Sequence, residues 1–242
     1  MDPGADRPLC VLLLPRELER FILRDQAEDL LQATGVVALD PPKVPYGALG
    51  RLPALIAARV AAAQARRLVR SLRRTGSRHP LRGGTPRVVV LFHPFQYPLA
   101  RAIAAVSTQE SGIECELWYG RWDRYEHAYD ASPKLRERLT ALHEQAAERS
   151  SLTFVASDEL ARLERREGRE ATLVPLAADS FPAPEVDPAV HPGVVAISLG
   201  HLGWRTDWRL LREVAERMPE LVLLLVGAWH DDEAKGDEDY AA

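Results

Sequence analysis

The sequence predicts an α/β fold: a doubly wound, parallel-sheet domain of the Rossmann-like type, followed by the first βαβ unit of a second such domain. Short apolar runs alternate regularly with segments of helical periodicity over the first 180 residues. The runs are apolar throughout, which is typical of parallel strands covered on both faces. The same strand, helix, strand pattern then occurs once more in residues 194–227. This succession is typical of doubly wound sheets.

The elements of the first domain follow one another without long gaps. Strands are predicted at residues 9–14, 36–39, 87–92, 113–119, 152–156 and 171–174. Helices are predicted at residues 18–32, at 49–74 with a break at Pro53, at 99–107, from Pro133 to about residue 149, and from residue 158 to Gly168. Ser132 and Ser157 are the expected N-caps of the last two helices, because a serine hydroxyl accepts from the free amides of a first turn.

The remainder of the chain divides into three segments. Residues 181–193 are rich in proline and read as a linker that ends the N-terminal domain of residues 1–180. Residues 194–229 contain a buried strand at 194–199, a loop, a helix at 207–218 and a second buried strand at 221–226. Residues 230–242 form an acidic tail, expected to be disordered. Asp237 and Asp239 form a D-x-D pattern of the kind that binds a metal in some enzymes, but no strand precedes it, so we do not read these residues as a metal site.

Composition excludes several classes of protein. No apolar run reaches the ~18–20 residues of a membrane span, and the N-terminal run lacks the basic flank of a signal peptide. Cys10 and Cys115 lie in strand-like contexts, so we expect buried thiols, and two cysteines do not make a zinc site of the usual spacing. We therefore expect a cytoplasmic protein without a bound metal.

Charge is distributed very unevenly. Residues 41–109 contain no Asp or Glu, while Lys43 and eleven arginines give this stretch a charge of +12. One helical stripe within it contains four arginines: Arg59, Arg66, Arg70 and Arg73. The stripe predicts docking on an anionic membrane or an anionic substrate; the alternative is an ordinary solvated helix face. Nucleic acid is not expected, because aromatics are sparse there and no nucleic-acid motif is present.

Two successive segments resemble one family. Residues 153–179 resemble the end of the N-terminal domain of GT-B fold glycosyltransferases, through Ser157, Glu159, Leu160, Val174, Pro175 and Asp179. Leu176 and Ala177 depart from the asparagine and glycine usual there. Residues 199–227 resemble the beginning of the donor-binding domain in families 1 and 4 of these enzymes. The order and spacing of the motifs agree over about 75 residues. The resemblance therefore implies that the sequence covers only the beginning of a donor domain.

The resemblance implies a sugar transfer from a nucleotide-sugar donor, without a metal ion, to a glycan or a lipid-linked saccharide. In this family the N-terminal domain binds the acceptor, and peripheral attachment to the inner face of an anionic membrane is common. Cell-envelope or polysaccharide biosynthesis is the corresponding process. With only the start of the donor domain present, we expect an incomplete donor site.

The donor-site candidates lie mainly in the second domain. The resemblance places a phosphate-binding cation near Arg205, where a guanidinium would stabilise the leaving diphosphate; pairing with Asp207 is the alternative. His201 is a weaker candidate in the same loop. Gly200 and Gly227 end the two strands and would permit close approach of the phosphates. Ser157 would donate from the N-terminal domain, although its role as an N-cap already explains it.

The acceptor-site candidates are His93 and Asp123, which follow predicted strands at their carboxyl ends. His93 would orient or deprotonate an acceptor hydroxyl, or it is a structural histidine beside Pro94. Asp123 would bind a sugar hydroxyl or act as the base, or it belongs to a surface turn. Trp118, Tyr119 and Trp122 lie near this edge, where core packing is favoured over stacking on a sugar.

A second function class remains open. In this alternative, the chain is a non-catalytic module with the same GT-B-like fold, and its basic helix binds an anionic membrane or a protein partner.

Overall fold

The computed structural model describes residues 9–18, 21, 24–33, 35–42, 44–75, 84–127, 132–176, 193–200, 202–203 and 206–227. The chain forms two compact units, Met1–Ser180 and Phe181–Ala242.

The first unit is built on a six-stranded sheet in the order β2-β1-β3-β4-β5-β6, in which every pairing is parallel. Its strands are β1 (Leu9–Leu13), β2 (Val36–Leu39), β3 (Pro86–Leu91), β4 (Glu116–Arg121), β5 (Leu152–Val155) and β6 (Thr172–Leu173). The predicted α/β class with a parallel, Rossmann-like sheet is confirmed.

Six helices connect these strands: α1 (Arg24–Gln32), α2 (Tyr46–Arg51), α3 (Ala54–Thr75), α4 (Tyr97–Ser111), α5 (Pro133–Arg149) and α6 (Asp158–Arg166). The predicted break at Pro53 separates α2 from α3. Ser132 and Ser157 are N-caps, accepting from the amides of Leu135 and Leu160. Both capping predictions are therefore confirmed.

The two faces of the sheet are covered to different extents. Alternate strand residues such as Val11, Leu91 and Tyr119 form the main core with helices α2–α5. Helix α3 contributes a stripe of small residues to this core, Ala57, Ala61, Ala65 and Val69, which permits close packing against α4. The opposite face contains Leu12, Val90 and Phe92 and is covered by α1 through Ala27. Trp118, Trp122 and Phe154 on that face are only partly buried.

The connections change direction between β1 and β3. The chain leaves β1 for α1 on one face and leaves β3 for α4 on the other. The carboxyl ends of these adjacent strands are thus a topological switch point, the usual position of a ligand in an open α/β sheet. His93 follows β3 at this point.

The second unit contains a two-stranded parallel sheet of β7 (Val195–Leu199) and β8 (Val222–Val226), connected by α7 (Trp208–Arg217). The sequence predicts that both strands are buried, and this prediction is wrong. The strands are present, but the side chain of Ile197 is 59% exposed and that of Leu199 is 74% exposed. One helix does not cover both faces of two strands, and among the described residues of this unit the buried ones are Leu202, Gly203 and Trp208.

Within the described ranges, no helix combines the length and the hydropathy needed to cross a membrane.

Candidate functional site

A buried amide joins the two strands of the switch point. Gln96 is fully buried. Its Oε1 accepts from the backbone N–H groups of Phe92, at 2.7 Å, and of His93, at 3.0 Å. Its Nε2 donates to the carbonyl of Leu13 at 2.8 Å. Since Leu13 ends β1 and Phe92 follows β3, this side chain fixes the backbone on both sides of the candidate site.

The protonation state of His93 follows from its contacts. Its Nδ1 accepts from the backbone N–H of Phe95 at 3.0 Å. Burial lowers the pKa of His93 to about 4, so the imidazole is neutral at pH 7. A backbone N–H only donates, so Nδ1 holds a lone pair and the single ring proton is on Nε2. Among the described residues, Nε2 has no hydrogen-bond partner.

Tyr125 fixes the other side of the imidazole. The two ring centroids are 4.4 Å apart, and the Tyr125 hydroxyl donates to the carbonyl of Phe92 at 2.7 Å. Phe95 packs against the same imidazole at 5.1 Å. The orientation of the Nε2–H bond is therefore determined by rings and by backbone, an arrangement suited to a preorganised donor.

The segment after β4, which contains Tyr125, is held by a buried ion-pair network. Arg121, at the end of β4, donates from Nη2 to Glu126 at 3.1 Å and from Nη1 to Glu164 at 2.6 Å. Arg169 donates from Nε to the second oxygen of Glu164, also at 2.6 Å. Burial opposes ionisation of Glu164, but these hydrogen bonds outweigh burial and its pKa lies below the ordinary value.

His143 completes this network. Burial, with a further contribution from Arg121, lowers its pKa to about 4. Its Nε2 lies 3.4 Å from Oε1 of Glu164, and its Nδ1 lies 3.1 Å from the hydroxyl of Tyr119. The neutral ring therefore contacts the carboxylate through Nε2 and is hydrogen-bonded to the tyrosine through Nδ1. These side chains bond one another within the first unit. We therefore interpret the network as structural support for the carboxyl edge of the six-stranded sheet.

Asp123 is exposed in the turn after β4. Its Oδ1 accepts from the backbone N–H of Arg124 at 2.7 Å. This hydrogen bond within the turn uses one carboxylate oxygen of Asp123. The role of Asp123 as a base stays a prediction. The structure places Asp123 two residues before Tyr125, at the same edge as His93.

The donor-site candidates are only partly described. His201 and Arg205 lie outside the described residues. The Ser157 hydroxyl accepts from Leu160 N as an N-cap. Gly200 and Gly227 adopt φ values of 144° and 156°, and a Cβ on Gly227 would overlap the carbonyl of Gly200. Close approach of the two strand ends therefore explains the glycine at 227.

The basic stripe is on the solvent-facing side of α3. Arg59, Arg66 and Arg70 are exposed and make no ion pair with any described residue. Arg73 differs, since its Nη1 donates to Glu110 at 3.0 Å. Leu55 and Ile56, at the beginning of the same face, are 82% and 50% exposed.

In the part of the chain that is described, no group of three or more His, Cys, Asp and Glu side chains is arranged to hold a metal ion. Cys10 and Cys115 are free thiols, and burial raises their pKa values to about 11 and about 12. Cys115 is buried as expected, whereas Cys10 is only partly buried.

Sequence reasoning located His93 but not the residues that orient it. Gln96 and Tyr125 were not identified, because a glutamine in a turn and a tyrosine in a loop give no periodic signal. The available clue is the position of Gln96 three residues after His93, which is the spacing of a capping box.

No protein-family model and no curated protein matches this sequence. Among solved structures, the chain is similar to the glycosyltransferase SnogD from Streptomyces nogalater. The sequence identity is 16% and the TM-score is 0.40. The similarity covers 92% of this chain and 67% of that one.

Proposed function

We propose that this chain takes part in glycosyl transfer from a nucleotide-sugar donor, and that its first unit binds the acceptor at the carboxyl edge of the six-stranded sheet. Two independent lines support the proposal. The motifs of residues 153–179 and 199–227 resemble GT-B glycosyltransferases in order and spacing. A preorganised polar group occupies the topological switch point, where α/β sheets bind ligands.

The observation that supports the acceptor site most directly is the Nε2–H of His93. A neutral imidazole with Nδ1 occupied by a backbone amide is a hydrogen-bond donor at Nε2. It therefore suits binding and orienting an acceptor oxygen, and it is not ready to remove a proton. Of the two roles considered for His93, orientation is the one that this geometry favours.

The remaining chemistry requires a base and a leaving-group stabiliser. The acceptor oxygen would attack the anomeric carbon, the bond from that carbon to the phosphate oxygen would break, and the nucleoside diphosphate would leave. We propose the carboxylate of Asp123 as the group that takes the acceptor proton. The guanidinium of Arg205 would stabilise the charge that develops on the diphosphate.

Thermal unfolding of the full chain tests this proposal. UDP, GDP, ADP and their sugar conjugates are added separately to the wild type and to the Arg205→Ala variant, with Arg212→Ala as a control on exposed α7. A ligand at 100 times its Kd stabilises a protein by about 2.7 kcal/mol. We expect one nucleotide family to stabilise the wild type and Arg212→Ala but not Arg205→Ala. Absence of any shift across the panel would overturn the nucleotide-sugar assignment.

A second candidate function is attachment to an anionic membrane, with or without catalysis. The supporting observation is the exposed face of α3, on which Arg59, Arg66 and Arg70 have no carboxylate partner among the described residues. Leu55 and Ile56 present apolar surface at the beginning of this face. Such a face would lie along a bilayer with its arginines at the lipid phosphates.

A further inference from the structure

A large cavity lies at the carboxyl edge of the first unit, beside the candidate acceptor site. Its volume is about 670 Å³, within the range of small-molecule sites. The end of α2, the beginning of α3 and the first half of α5 form its walls. Arg51 in this wall lies over the ring of Phe95, with Cζ 6.0 Å from the centroid. The same ring packs against His93 at 5.1 Å.

Three cationic side chains among the described residues line the cavity: Arg51, Lys134 and Arg138. Arg138 donates from Nε to the carbonyl of Gly50 at 2.9 Å, which fixes one edge of its guanidinium. None of the three makes an ion pair with a carboxylate of the described residues. Among the described residues of the wall, Glu137 is the one acidic side chain, so these residues have an excess of two positive charges.

Apart from Ser132, the rest of the described lining is apolar, with Leu52, Pro53 and Leu135 among its members. A cavity that combines unpaired cations with apolar walls suits a ligand that has both an anionic and an apolar part. Guanidinium and ammonium groups bind phosphate oxygens through short, charge-assisted hydrogen bonds.

We infer that this cavity binds a phosphate group of the acceptor. The inference rests on the proposed function for its choice of ligand, because Arg51 of the cavity wall and His93 contact the same Phe95 ring. The acceptor would then be a phosphorylated molecule, held by Arg51, Lys134 and Arg138, with its nucleophilic hydroxyl oriented by His93. Such a phosphate belongs either to a soluble glycan phosphate or to a lipid headgroup.

Phosphate titrations of the full chain, followed by amide chemical shifts, test the inference. We compare the wild type with the Arg51→Gln, Lys134→Gln double variant, which leaves the Arg138 bond to Gly50 intact. The matched control is Arg136→Gln, Arg165→Gln, which removes the same charge from exposed positions outside the cavity. Inorganic phosphate and inorganic pyrophosphate are the soluble probes. Vesicles of phosphatidylcholine with and without phosphatidic acid are the lipid probes.

We expect shifts at the amides of Leu52 and Ala54 and of residues 135–138, and binding of phosphate about tenfold weaker in the double variant than in the control. Vesicle binding that is lost in the same variant would identify a lipid headgroup as the source. Vesicle binding unchanged by the variant, with phosphate binding lost, would identify a soluble phosphate. Equal phosphate binding by the double variant and the control overturns the inference.

The outcomes for the cavity and for the proposed function are separable. Loss of phosphate binding without any nucleotide effect would support the cavity and contradict the donor assignment. Stabilisation by a nucleotide, with equal phosphate binding by the double variant and its control, would support the donor assignment and contradict the cavity. Thermal unfolding of the double variant in the absence of ligand verifies that it is folded, since Arg51 and Lys134 are both exposed.

Discussion

Arg121 and Glu164 form a buried ion pair between the end of β4 and helix α6, with 2.6 Å between Nη1 and Oε1. The two side chains are 4% and 0% exposed. Arg121 also reaches Glu126, one residue after the tyrosine that packs on His93. The ion pair therefore connects the core of the first unit to the loop that orients the candidate acceptor site.

The first prediction concerns this pair. Glu164→Gln removes the negative charge that Arg121 and Arg169 share and leaves Arg121 buried with only Glu126 as a carboxylate partner. Breaking a buried pair from one side costs about 3–5 kcal/mol, and we expect a loss of that size in urea unfolding. Glu159→Gln is the control, because Glu159 and Arg162 are each 56% exposed and a surface pair contributes about 0–1 kcal/mol. Equal losses in both variants would show that the buried pair has no special role.

The second prediction is a stability change in weak acid. Burial in the folded state lowers the pKa of His93 and His143 from the ordinary value of 6.5 to about 4. Between these values the unfolded chain binds more protons, so the free energy of unfolding falls as the pH falls from about 6.5 to about 4. Each histidine accounts for about 3 kcal/mol of this loss. Above pH 6.5 the contribution is complete.

Urea unfolding at a series of pH values measures this slope. His93→Asn removes one of the two buried histidines and should reduce the change in unfolding free energy between pH 6.5 and 4 by about half. His127→Asn, at an exposed position, should leave that change unaltered. A wild-type stability that does not vary between pH 6.5 and 4 would contradict the assignment of two buried neutral imidazoles.

The third prediction compares two glycines of helix α2. A Cβ on Gly50 would overlap the ring of Phe95, whereas a Cβ on Gly47 would lie 3.8 Å from that ring. Gly50→Ala should therefore move Phe95 away from His93 and destabilise the chain by about 1–3 kcal/mol. Gly47→Ala should stabilise it by about 0.5–1 kcal/mol, because alanine loses less backbone entropy in a helix. Chemical unfolding of the two variants distinguishes these effects, and a stable Gly50→Ala chain would mean that this packing is loose.

The fourth prediction concerns the exposed face of α3. Arg66→Glu with Arg70→Glu should abolish co-sedimentation with vesicles containing phosphatidylglycerol, since each basic residue near an anionic surface contributes about 1 kcal/mol. Arg165→Glu with Arg166→Glu on α6 changes the same charge at another surface. If both double variants bind equally, general electrostatics explains the attachment and α3 is not the docking face.

The sequence predicted those elements whose signals are local. The strand Val36–Leu39 and the helix Pro133–Arg149 were found at the expected residues, because an apolar run and a Ser-Pro start each define a boundary within a few positions. The strand expected at residues 113–119 instead runs over Glu116–Arg121. Ile113 is apolar but 54% exposed. Arg121 belongs to the strand because its backbone pairs with Val155 of β5. Its side chain bonds Glu164, 43 positions away, which no local pattern reveals.

The same distinction applies to the candidate site. A histidine at the end of a strand was predictable from the alternation of strands and helices. Its tautomer was not, because it depends on the backbone N–H of Phe95, and its orientation depends on Tyr125, 32 residues further along the chain. The part played by Gln96 is equally non-local, because its Nε2 bonds a carbonyl 83 positions earlier.

The last prediction separates the two nitrogens of His93. In His93→Asn, the amide oxygen replaces Nδ1 as the acceptor for Phe95 N–H, as an N-cap asparagine does, and the donor at Nε2 is lost. In His93→Gln, the longer side chain places an N–H donor near the position of Nε2 and loses the cap. If Nε2–H orients the acceptor, sugar transfer or acceptor binding should fall at least tenfold in the asparagine variant at nearly unchanged stability. The glutamine variant should retain more of this function at lower stability, about 1 kcal/mol below the wild type. The opposite ranking would mean that His93 acts through its cap alone, and the acceptor site would then have to be sought elsewhere along the edge.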